Sequence, residues 1–176
     1  MDRAFPLVLV HLGPTVPPWT ADAIKQARFF NSGPVYLVAE SGAIKGLSLD
    51  SGLKAVCVAV EDLGVSDKQA EFRRVSQMDT AFRDGFWTYT TERFIVLEQA
   101  ATQLSLANIV HIENDVMLYA DLAELGPKLQ RLYSDFAAVF DHPDRCIPSF
   151  LYFSSAASIG ALTDFILRNI ASQHQV

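Results

Sequence analysis

Two carboxylates and an amide stand side by side at Glu113-Asn114-Asp115, directly after the apolar run Ile109-Val110-His111-Ile112. Hard divalent cations such as Mg²⁺ and Mn²⁺ select oxygen ligands of this kind, with water and substrate phosphates completing the shell. The apolar run has the length and β-branched content of a buried strand. In open α/β sheets the carboxyl end of a strand is where ligands bind. The same three residues also read as an ordinary turn, because Asn and Asp side chains bond nearby backbone. Asp121, a few residues on, has the position and chemistry of a helix cap.

Other chemistry is excluded by what the chain lacks. There is no G-x-x-x-x-G-K-[ST] loop, no G-x-G-x-x-G after the first strand and no G-x-S-x-G elbow. The four histidines, His11, His111, His142 and His174, show no paired spacing for zinc. His11 ends a strand at the expected ligand edge, where a packed, hydrogen-bonded histidine is the other reading. His111 is expected on the side of its strand away from the acidic cluster. Cys57 and Cys146 are too few for a disulfide framework, and Cys57, inside an apolar run, is expected to be a small core hydrophobe. A formal charge of −6 disfavours nucleic acid as a partner, since phosphate binding needs a basic surface.

The elements that must position these residues follow from pattern. With 176 residues, 50% hydrophobic and 19% charged, residues 1–176 are expected to form one domain with a sizeable core. The opening MDRAFPLVLVHLGP reads as a strand (5–12) rather than a leader, and no apolar run of about 18 residues implies a membrane span, so a cytoplasmic location is expected. Thr20 is a candidate cap for a helix over 21–31, followed by strands at 35–40 and 53–60 with an indistinct stretch (43–53) before the latter. Ser66 to Gln69 fits a capping box opening a helix to about Arg83, and Thr90 or Thr91 opens a second that leads into the 109–112 strand. A helix after Asp121, strands at 135–140 and 150–155 and a helix over 158–169 complete the pattern. Strands separated by helices at short spacing predict an α/β fold: a mostly parallel mixed sheet with helices on both faces.

The strand LVLVHLG, the strand with its terminal acid VYLVAE, and above all FWTYTTERFIVLEQAATQLSLANIVHIENDVMLYADL resemble glycosyltransferases of the GT-A fold, the nucleotide-diphospho-sugar transferases. The resemblance spans about residues 6 to 155. Those enzymes carry a D-x-D motif at the end of a central strand, which binds the metal bridging a nucleotide diphosphate. Here Glu113-Asn114-Asp115 would be that motif, with glutamate in first place and Glu113 and Asp115 as the metal ligands for Mn²⁺ or Mg²⁺. The resemblance further implies that His11, Leu12 and Gly13 line the nucleotide and that Glu40 sits near the base or ribose. Arg93 would reach the diphosphate or fix an acidic partner. Asn114 and Ser149 would complete the donor site, and Asp141 and His142, with Asp144, stand where an acceptor base or nucleophile is usual.

The implied activity is metal-assisted transfer of a sugar from a nucleoside-diphosphate donor to the hydroxyl of a glycan or small-molecule acceptor. A sugar nucleotidyltransferase would need a Gly-rich, basic loop after strand one, which HLGPTVPPWT does not supply. The remaining alternative is a non-catalytic or shortened GT-A-like domain used for binding or assembly, because the acceptor-binding part is expected beyond the ASQHQV ending.

Overall fold

The computed structural model describes residues 5–47 and 51–172; the opening and closing expectations for 1–4 and 173–176, His174 included, and residues 48–50 of the indistinct stretch lie outside them. Six strands form one sheet: β1 (Leu7–Val10), β2 (Val35–Ala39), β3 (Val56–Ala59), β4 (Ala107–Ile112), β5 (Phe136–His142) and β6 (Arg145–Ser155). Their order is β3-β2-β1-β4-β6-β5. The first four are parallel, and β6 runs antiparallel to both β4 and β5. An α/β fold with a mixed, mostly parallel sheet is thus observed.

Helices cover both faces because the buried strands are apolar on both sides. On one face α1 (Trp19–Phe30) and α6 (Leu122–Leu132) pack Ile24, Ala27 and Leu122 against Leu7, Leu9 and Leu37. The other face carries α3 (Val60–Leu63), α5 (Phe86–Gln103) and α7 (Ala156–Ser172), whose Leu63, Val96, Leu97 and Ile159 meet Val8, Val10 and Leu151. The remaining α-helices among the described residues are α2 (Ser41–Gly46) and α4 (Asp67–Val75). Gly126 lets α6 approach the sheet closely: a Cβ there would lie 2.4 Å from the buried Phe5 ring. No helix among the described residues is long and apolar enough to cross a membrane.

Several boundaries differ from the sequence pattern, each for a local reason. Helix α1 begins at Trp19, not after Thr20, whose buried hydroxyl caps nothing. Helix α4 stops at Val75 rather than near Arg83: Ser76 is extended, and Ser76 and Asp79 bond the nearby amides of Met78 and Ala81, offering the backbone an alternative to helix. Helix α5 starts at Phe86, after Gly85 in the left-handed region (φ 91°), while Thr90 and Thr91 bond back to the carbonyls of Phe86 and Trp87 instead of capping. Ser66 and Asp121 do cap, accepting from Gln69 N and Ala123 N. Cys57 is exposed, not core, because β3 is an edge strand with an open outer face. The DHPDRC stretch forms the end of a β5–β6 hairpin rather than a free loop.

Candidate functional site

From β1 the chain steps outward to β2 and β3, then crosses to β4 on the other side of β1. Such a reversal leaves a crevice beyond the carboxyl ends of the two central strands. Strand register shows it opening. β1 stays paired with β2 as far as Val10↔Val38, but its pairing with β4 ends at Val8↔His111. Beyond that row His11 N bonds Val38 O, drawing β1 toward β2. His11 and Asn114 then face one another across the gap.

One contact spans it: Asn114 Nδ2 lies 2.9 Å from His11 Nδ1. The amide nitrogen can only donate, so Nδ1 accepts and the neutral ring carries its proton on Nε2. His11 Nε2 and Asn114 Oδ1 are both buried without a protein partner among the described residues. Burial holds the His11 pKa below its ordinary value, opposed by the Thr15 carbonyl and the Glu40 charge. Buried polar atoms of this kind are ordinarily satisfied by an ordered water, an ion or a ligand.

The turn after β1 is fixed by Glu40, both of whose carboxylate oxygens accept from Gly13 N at 2.9 and 3.0 Å. Gly13 adopts φ 122°, where a side chain would be strained, and the Tyr89 ring of α5 lies against it. Leu12 is buried in the core beneath this turn. At the end of β4, Arg93 Nη2 stands 2.6 Å from Glu113 Oε1, and Glu113 N donates to Ser149 O on β6. Asp115 is exposed. His11, Gly13, Glu40, Arg93, Glu113, Asn114, Asp115 and Ser149 therefore belong to one edge of the sheet.

Asp141 and His142 are differently engaged. Five residues of β6 precede Phe150, the partner of Ile112, so the hairpin projects roughly 15 Å past the end of β4. At its tip Arg145 donates to both carboxylate oxygens of Asp141, holding that carboxyl below its usual pKa range. His142 Nδ1 lies 3.7 Å from Asp144. These groups pair with one another within the hairpin.

Three further aromatic rings, two of which the sequence did not single out, pack near these elements. Tyr89 packs the Gly13 turn against Gly85. His111, fully buried, donates from Nδ1 to Val8 O and is held to a pKa of about 3 by burial and the nearby Arg93 charge. Trp87, half exposed, stacks on Phe82 at the start of α5. The Phe86-Trp87 doublet after Asp84-Gly85 was the one available signal for the last. No protein-family model matches this chain, and no curated protein matches it.

Proposed function

We propose that the chain is a metal-dependent glycosyltransferase of the GT-A kind, which moves a sugar from a nucleoside-diphosphate donor to an acceptor hydroxyl. The observation that carries this reading is the convergence of Glu113-Asn114-Asp115 with His11 at the crevice between β1 and β4. The strand order, with β6 antiparallel beside β4, supports the same fold-level comparison.

The residues fit a hard cation. Asp115 is exposed, Asn114 Oδ1 is open, and Glu113 has one oxygen on Arg93 and no other side-chain partner among the described residues. No three His, Cys, Asp or Glu side chains converge there among the described residues, so water and donor phosphate would supply the balance of the shell. Glu113 and Asp115 would hold Mn²⁺ or Mg²⁺, which when bound neutralises the leaving diphosphate. His11 Nε2 donates to the nucleotide, and the Glu40-clamped Gly13 turn lets its backbone lie close. Ser149, one hydrogen bond from Glu113, lines the donor sugar. Holding donor and acceptor in one geometry supplies the rest of the rate.

A binding domain of the same fold is the second reading, favoured by Arg145's hold on Asp141, the candidate base. Thermal shift with UDP or GDP, with and without Mn²⁺, tests the primary reading. At about a hundred times Kd, mass action adds about 2.7 kcal/mol. For this size that is on the order of 2–4 °C per kcal/mol. A rise with the nucleotide–metal pair and slow donor hydrolysis are expected. The absence of any shift across the panel sinks the metal-dependent reading, and a shift without hydrolysis selects the binding domain.

A further inference from the structure

We infer that Arg93 is a positioning residue that serves the cation site by holding Glu113, rather than a ligand of the donor diphosphate. The inference rests on the functional reading above and decides between the two roles its sequence position leaves open.

Arg93 is 8% exposed, on a helix whose neighbouring residues Glu92 and Phe94 to Leu97 are all buried. Its guanidinium lies 5.0 Å from the centre of the Phe94 ring, and His111 packs edge-on against that same ring. Among the described residues, Glu113, at 2.6 Å, is the one charged group that Arg93 pairs with. Paired in this way, the guanidinium spends its Nη2 donor on Glu113 rather than on a ligand arriving from solvent. It can fix one oxygen of Glu113 and so set the direction of the other. Outer partners of this kind orient metal-binding carboxylates, and their loss typically costs 10–100-fold in metal affinity.

His111 keeps the arrangement single-valued. Its Nδ1 proton is committed to Val8 O, so Nε2 carries a lone pair, and that atom is buried without a partner among the described residues. Arg93 Nε is likewise buried and without a hydrogen-bond partner among the described residues.

The test uses the full chain and reads Mn²⁺ affinity from the electron paramagnetic resonance signal of free Mn²⁺, with UDP affinity measured at saturating Mn²⁺. Arg93→Met is expected to weaken Mn²⁺ 10–100-fold and leave UDP affinity at saturating Mn²⁺ within about twofold. Arg93→Lys, which keeps the charge, should recover most of the Mn²⁺ affinity. In Glu113→Gln, adding Arg93→Met should cost nothing further, because the arginine acts through the glutamate. Unchanged Mn²⁺ affinity in Arg93→Met overturns the inference, as does a matching loss of UDP affinity. If Arg93→Met does not fold, Arg93→Lys decides: a loss of UDP affinity at saturating Mn²⁺ marks a direct diphosphate ligand. A wild-type chain that binds no Mn²⁺ overturns the functional reading and this inference together, whereas binding by wild type and Arg93→Met alike overturns the inference alone.

Discussion

His11 and Asn114, 103 residues apart in sequence, meet at 2.9 Å and close the gap that opens where β1 and β4 part. Each then has one buried polar atom left over, and both lie in the same crevice. The pair is a fold contact, and its two leftover atoms are the ones that the proposed nucleotide site would use.

Asn114→Ala separates these two roles. It removes one hydrogen bond and strands His11 Nδ1, so a cost of about 1–3 kcal/mol in urea unfolding is expected. Calorimetric titration with UDP and Mn²⁺ should show a loss of about tenfold or more, since one oxygen of the site has gone. A variant that loses stability but binds UDP as before would assign the pair to the fold alone.

Asp115→Asn should leave the fold intact, because its carboxylate is exposed and makes no hydrogen bond or ion pair among the described residues. Metal-dependent nucleotide binding, followed by the same titration, is expected to vanish. Asp121→Ala is the contrast, losing the cap to Ala123 N, about 1 kcal/mol of stability, and no binding. Intact binding in Asp115→Asn would reduce that residue to a turn.

The buried His111 makes stability fall in acid. Its folded pKa, about 3, lies below the unfolded value of 6.5, so the unfolded chain binds more protons between those limits. The stability associated with a neutral His111 is fully present above about pH 6.5 and is lost as pH falls toward 3. At pH 5 the loss is roughly 2 kcal/mol, at 1.36 kcal/mol per unit. His111→Gln should flatten the unfolding free energy between pH 4 and 6.5, measured by denaturant titration. An unchanged slope would mean that other groups set the acid limit.

Gly126→Ala should destabilise the chain despite alanine's better helix propensity, worth about 1 kcal/mol. The added methyl would meet the Phe5 ring at 2.4 Å, and that ring is itself buried. Overpacking of this sort costs about 1–3 kcal/mol. A melting temperature equal to or above wild type would show that α6 can lift from the sheet without loss.

The sequence made the sheet legible wherever apolar runs were buried on both faces, as in β1, β2 and β4. It misled at Cys57, because an apolar run does not say whether a strand is central or at the edge. The α4–α5 region failed for a different reason: Ser76, Asp79, Thr90 and Thr91 each have two local uses for a hydroxyl or carboxylate, and pattern cannot choose between them. The cluster Glu113-Asn114-Asp115 stood out in the sequence because polar groups end an apolar strand there. The contacts of Tyr89 and His111 did not, since they depend on a helix docking across the sheet.

The central position of β1 also sets an order of assembly. β1 and β2 are joined by a single short helix and can pair as soon as residue 39 is available. The other flank of β1 waits for β4, whose partners Val110 and His111 lie about a hundred residues away, and closing so long a connection is entropically slow. Until then the first-made strand presents an open apolar edge, the condition in which growing chains pair wrongly with one another. The His11–Asn114 contact forms only when that edge is closed, so the proposed binding crevice is complete only after β4 has docked. Refolding followed by nucleotide binding should lag the return of helical signal for that reason.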